Sequence, residues 1–170
     1  ESLPFEAEML DLVTCRICPH HFGIFGRFLT ESYRVLRPNG ILAVVDNVVP
    51  GSHQRGKKAN AQRAAGDFIN AFEKLRDPSH AQCWSLAQWL DGFRQAGFAV
   101  QQHETAQKQM RFTPWADRMK VSPDNKQRLR AMLIQAPNIA VAFFNLQRDA
   151  EELLFSLTEA IIIGQKTVSN

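Results

Sequence analysis

Tyrosine occurs once in these 170 residues, cysteine only three times, and neither the basic residues nor the glycines are clustered. Each scarcity removes a class of function. Three cysteines, few and odd in number, do not suggest the disulfide framework of a small secreted domain, so a reducing, cytoplasmic setting is expected. No apolar stretch reaches the roughly 20 residues of a membrane-spanning helix, and no membrane partner is expected. Against 20 Lys and Arg stand 17 Asp and Glu, a net charge of +3 spread without a basic block, which gives nucleic acid little to bind. The lone Tyr33 is followed by Arg34, Val35, Leu36 and Arg37, so the Tyr-x-x-x-Lys pair of a Rossmann reductase is absent. Internal repeats and low-complexity tracts are absent as well.

What is present reads as one globular domain over 1–170, with 45% hydrophobic and 22% charged residues. Residues 10–17 (LDLVTCRI) and 41–49 (ILAVVDNVV) are short and nearly all apolar, the pattern of strands covered on both faces. Between them, apolar positions at Phe25, Phe28, Leu29, Tyr33 and Leu36 recur at helical spacing over 22–36, and Arg-Pro-Asn-Gly is expected to stop that helix. A second helix is expected over 56–76. A third, over 86–96, has Ser85 as its N-cap and Gly97 at its end. Residues 98–112 are a more polar strand, 113–150 a helical insert broken at Pro114, Pro123 and Pro137, and 154–166 a last strand. Strands separated by crossover-length helices imply an α/β fold in three layers, with about four strands and the last two able to pair antiparallel.

The phrases "LPF...LDLVTCRI", "F..ESYRVLRPNGILAVVDNVVP" and "W...F.QAGF" resemble the C-terminal half of class I S-adenosylmethionine-dependent methyltransferases, in the small-molecule branch that includes quinone C-methyltransferases. The likeness covers nearly the whole chain, and its most specific piece is "RVLRPNGILAVVDN". It implies a truncated Rossmann-like sheet, S-adenosylmethionine as cofactor and a small-molecule methyl acceptor. The family's Gly-rich turn and its ribose-binding acid have no match here, so the reading is of a cut methyltransferase, inactive alone. By the same resemblance Glu1, Ser2 and Leu3 lie beside the adenine, Arg16, Ile17 and His20 beside the methionine part, and His21 faces the acceptor. The strand at 10–17 belongs inside a larger sheet, so its open edge is expected to be covered in a homodimer. The rival expectation is a non-catalytic homodimeric module that binds a small apolar ligand or a partner.

Three residues are candidates for chemistry. His21 could take a proton from a hydroxyl or an activated carbon, because imidazole titrates near neutrality. Asp46 interrupts an apolar strand, where an unpaired carboxylate is costly, so it needs a partner or a place in the cleft, with Asn47 beside it. His80 lies between two helices that in the family cover the acceptor, and Arg76 with Asp77 could pair to shape that turn. For each, a packing or capping role competes. Trp84, Met110, Phe112, Trp115, Met119, Phe143 and Phe144 are core or acceptor walls, and Trp89 is core. Cys15 and Cys18 form a CxxC, but its spacing fits neither haem attachment nor a complete zinc site, and no metal is expected.

Overall fold

Alternation of buried and half-buried side chains along the strand Leu36–Val48 sets the architecture. The computed structural model of the chain describes residues 2–149 and 152–167. In chain order the elements are β1 (Leu10–Arg16), a one-turn 3-10 helix (Pro19–His21), α1 (Phe25–Val35), β2 (Leu36–Val48), α2 (Lys57–Arg76) and α3 (Leu86–Gln95). They continue with β3 (Phe98–Arg111), α4 (Phe112–Arg118), α5 (Pro123–Ile134), α6 (Asn138–Phe143), β4 (Gln147–Arg148) and β5 (Leu153–Lys166). The main path of the sheet runs β1-β2-β5-β3, with the two-residue β4 on the end of β5. β1 and β2 are parallel, while β5 runs antiparallel to both β2 and β3.

The Rossmann-like α/β class, the helical insert and the antiparallel last pair agree with the sequence reading. Four details differ. The helix after β1 gives way to strand at Leu36, so Arg-Pro-Asn-Gly forms an irregularity inside β2, where Asn39 takes a φ of 66°. A fifth strand, β4, escaped notice because two residues carry no periodicity. Helices cover the two faces unequally: Leu42, Val44, Val48, Ala160 and Ile162 pack with Phe28, Leu29, Trp89 and Phe93, whereas on the opposite face Phe155 packs with Phe72 and Trp115 while Val45 and Ile161 are only half-buried. Finally, β1 is covered on one face only: Leu10, Val13 and Cys15 are half-buried against the core, whereas Leu12 is 55% exposed.

Local chemistry explains the helix ends. Ser85 Oγ accepts from the Gln88 backbone N–H while the Gln88 side chain accepts from Ser85 N–H, a reciprocal cap that starts α3. Gly97, at φ 97°, supplies the left-handed residue after it, where a Cβ would lie 2.8 Å from the Tyr33 ring. Pro123 opens α5 and Pro137 caps α6, as their missing N–H permits, while Pro114 sits in the first turn of α4. Beyond the C-terminal ends of β1 and β2, α2, α4, α5 and α6 gather around Phe72, Trp115, Phe144 and Phe155 as a second core. The lip between the two cores is where an open α/β sheet binds ligands. Among the described residues no helix is long and apolar enough to cross a membrane.

Candidate functional site

β1 and β2 deliver their C-terminal ends to the same lip because they are parallel, with Ile17 N–H donating to Val45 O at 2.7 Å. Ile17 then turns the chain at a φ of 49°, an uncommon conformation for a β-branched residue, and Pro19 starts the 3-10 turn that carries His20 and His21. The His20 carbonyl accepts from Ala81 N–H and Gln82 N–H at 2.8 and 3.0 Å, which ties this turn to the loop between α2 and α3.

His20 and Asp46 meet there. The His20 Nδ1–H donates to Asp46 Oδ1 at 2.6 Å, with the residues 8% and 1% exposed. A carboxylate can only accept, so this bond places the ring proton on Nδ1 and leaves Nε2 as the free nitrogen of the neutral ring. Asp46 Oδ2 has no hydrogen-bond partner among the described residues. The requirement that a buried acid in an apolar strand find company is met by the histidine four residues past the end of the neighbouring strand.

The His21 ring lies against that of His20, tilted by 45° with centroids 4.2 Å apart, but has different partners. Its Nδ1 lies 3.1 Å from Ser79 Oγ, and that hydroxyl donates to Asp77 Oδ1 at 2.6 Å. The hydroxyl has one hydrogen, so His21 Nδ1 is the donor to it. His80 is 2% exposed, its ring is 5.6 Å from that of His20, and its Nε2–H donates to Asn70 Oδ1 at 3.0 Å. Burial, reinforced by the positive surroundings of His20, His21 and Lys74, pushes the His80 imidazole down to about 4. The Arg76–Asp77 pair read from the sequence is replaced: Arg76 faces Glu73 at 3.7 Å, one helical turn back, while Asp77 turns to Ser79. Arg76 also lies over the Trp115 ring, 4.4 Å from its centroid.

These groups enclose a cavity of about 120 Å³, lined by Ile17, His20, Asn47, Glu73, Arg76, Asp77, His80, Lys108, Met110, Trp115, Arg118, Leu157 and Glu159. Its volume suits a single ring or a head group of similar size. Glu73 is the residue that sequence reading missed. It sits among charged residues on a helix and looks solvent-facing, and only its i+3 relation to Arg76 hints otherwise. Burial raises its carboxyl to about 7 against the pull of Arg76 and His20, and Oε1 has no partner. Of the expected walls, Met110 and Trp115 line the cavity, Phe112 and Phe144 are core, and Trp84 stacks on Phe25 at 4.8 Å. Phe143 is half-buried against the core, and Met119 is 39% exposed.

The residues placed by resemblance beside the cofactor divide. Glu1 lies outside the described residues. Ser2 and Leu3 line a separate, largely apolar cavity of about 310 Å³ with Val13, Thr14, Cys15, Phe22, Phe28 and Glu31. Glu31 and Arg34 of α1 hold this segment: Leu3 N–H donates to Glu31 Oε1 at 3.1 Å, and Arg34 donates to the Phe5 carbonyl at 2.8 Å. Arg16 is exposed, whereas Ile17 and His20 belong to the smaller polar cavity.

A family model described as "Methyltransferase domain" matches residues 1–44. BH2331 of Bacillus halodurans C-125, provisionally classed as a methyltransferase, is 31% identical, and its crystal structure superposes with a TM-score of 0.87 over 98% of this chain and 74% of that one. YcgJ of Bacillus subtilis, an uncharacterised methyltransferase, is 28% identical over 98% of this chain, and its crystal structure gives a TM-score of 0.88. YafE of Escherichia coli, uncharacterised, is 30% identical over 88% of this chain and 67% of its own length. The chain belongs to the class I S-adenosylmethionine-dependent methyltransferase family. It spans 62% of the length of YcgJ.

The residues present fit one flank of S-adenosylmethionine. The apolar cavity beside β1, the turn at Ile17 and the unpartnered Asn47 Oδ1 stand along the lip. Within the 170 residues no Gly-x-Gly occurs to let backbone approach the nucleoside.

Proposed function

We propose that this chain forms the acceptor side of a methyltransferase acting on a small molecule, with His20 as general base and Asp46 as the residue that positions it. When bound, S-adenosylmethionine supplies a methyl already activated as a sulfonium, so the side chains have little to do except hold the nucleophile and remove its proton. The buried His20–Asp46 pair supports this reading: Nδ1 is committed to the carboxylate and Nε2 is free to accept a proton from an acceptor in the cavity. Glu73 and Asn47 offer oxygens that accept a hydroxyl hydrogen, while His21, bonded to Ser79, shapes the neighbouring turn. A cavity of about 120 Å³ with this lining suits the head group of a phenol or enol. The 170 residues alone hold the nucleoside too poorly for turnover, because no Gly-rich turn is among them. The test is titration of the chain with phenol and catechol, followed by NMR of the histidine rings, beside calorimetry with S-adenosylhomocysteine. The expected result is perturbation of His20 and His80 by the phenols and no micromolar binding of the nucleoside. Phenols that leave both rings unmoved contradict the acceptor assignment, and micromolar nucleoside binding contradicts the inactivity of the chain.

A second reading rests on a different observation. β1 is an edge of the described sheet, with Leu12 and Met9 55% and 50% exposed. An apolar edge of this kind is a template for pairing, and a second copy of the chain is the proposed occupant, giving a homodimer across β1.

A further inference from the structure

Arg and Lys side chains line the cavity at the lip in the same number as carboxylates, but they are not matched one to one. Each carboxylate has company: Glu159 lies 3.9 Å from Lys108, Glu73 faces Arg76 at 3.7 Å, and Asp77 accepts from the Ser79 hydroxyl and N–H. Arg118 is what remains. Among the described residues it has no hydrogen bond or ion pair, because Asp117 beside it is taken by Lys126 of α5. Arg76 is held on the same wall, its Nε–H donating at 3.3 Å to the carbonyl of Trp115, which stands one turn before Arg118 in α4. Glu73 balances Arg76 only in part, since burial keeps its carboxyl up at about 7. At neutral pH the wall is therefore positive, and its least engaged charge stands at the mouth, where Arg118 is exposed.

We infer, on the basis of the acceptor role of this cavity, that Arg118 is a specificity-determining residue, selecting ring acceptors that bear a carboxylate, of the hydroxybenzoate class, over neutral phenols. A guanidinium presents a rigid fork of N–H donors that matches a carboxylate, and it is less strongly hydrated than an ammonium. The ring fills the cavity of about 120 Å³ with its hydroxyl toward His20 Nε2, and the carboxylate stays at the mouth on Arg118. There it keeps part of its hydration. A carboxylate carried to the inner end, beside Asp46 and Glu73, would meet like charge and lose its water. Lys108, already shared with Glu159, adds attraction from β3 without a fixed geometry.

The test compares meta- and para-hydroxybenzoate with the corresponding hydroxybenzamides, which keep the shape without the charge, by NMR titration of the histidine rings in the whole chain. The acids should shift His20 at concentrations about tenfold lower than the amides, and added salt should narrow the gap. Arg118→Gln should bring the acids down to the level of the amides without loss of thermal stability, since the side chain is exposed and holds no other group in place. Arg128→Gln removes the same charge from α5, outside the cavity lining, and should leave the preference intact. Acids and amides that bind alike, a preference that survives Arg118→Gln, or one lost equally in both variants overturns the role of Arg118 while the acceptor reading stands on the amides. Rings unmoved by acids, amides and phenol alike overturn both.

Discussion

Glu73 Oε2 stands 3.7 Å from Arg76 Nη1, one turn along the same helix, while its other oxygen is buried with no hydrogen-bond partner among the described residues. A carboxyl so placed resists ionisation, and its value of about 7 against an ordinary 4.5 makes folding pH-dependent. Below pH 4.5 it is protonated in both states and has no effect. As the pH rises through 7 the unfolded chain ionises first, and the folded state loses up to about 3 kcal/mol. Glu73→Gln should therefore stabilise the protein at pH 8 by about 1–3 kcal/mol and leave it unchanged at pH 4.5. Denaturant titrations at the two pH values measure this, and equal effects at both would count against it.

His80 works in the opposite direction. Its value falls from 6.5 to about 4. Above pH 6.5 it is neutral in both states; as the pH drops toward 4 the unfolded chain takes the proton first and stability is lost. The slopes of Glu73 and His80 oppose each other between pH 4.5 and 6.5. His80→Gln, which keeps a donor for Asn70, should remove the acid loss, so melting temperature should rise more steeply toward low pH than in the wild type. An unchanged slope would mean that His80 is charged when folded.

Gly66 sets two effects of known size against each other. Alanine in a helix interior gains about 1 kcal/mol over glycine, but overpacking costs about 1–3 kcal/mol. A Cβ at Gly66 would stand 2.4 Å from the Pro50 carbonyl oxygen, a backbone atom that cannot swing aside. The clash should win, and Gly66→Ala should destabilise by roughly 1–2 kcal/mol in chemical denaturation. A stabilised variant would show that the loop after β2 yields easily.

At the open edge, Leu12→Lys should abolish association without lowering thermal stability, since Leu12 is 55% exposed. Sedimentation velocity separates the two species. A wild type that stays monomeric at hundreds of micromolar removes the homodimer.

Elements with a repeating signal were legible in the sequence: the apolar strands, the stripe of α1, the cap at Ser85 and the prolines opening α5 and α6. The core residue Trp89 followed from the stripe of its helix, whereas Phe144 could be read as either core or acceptor wall. Legibility ended where side chains distant in sequence met. That Asp46 needed a partner follows from the cost of burying a lone carboxylate. That the partner is His20 depends on the left-handed turn at Ile17, and no local propensity places a β-branched residue there. Glu73 was hidden because burial of a charged helix residue is decided by neighbours distant in sequence, here the cavity wall it shares with His20 and Trp115. β1 reads as an interior strand from its composition, yet composition cannot show which neighbours are at hand to cover it.

Long-range proton–nitrogen NMR of the imidazole rings reads whether Asp46 holds His20 as a base with Nε2 bare. Neutral His20 should carry its proton on Nδ1, and Asp46→Asn, whose amide can donate to that nitrogen, should move the proton to Nε2. A wild-type His20 already protonated on Nε2, or a tautomer indifferent to Asp46→Asn, would mean that Asp46 does not set the ring.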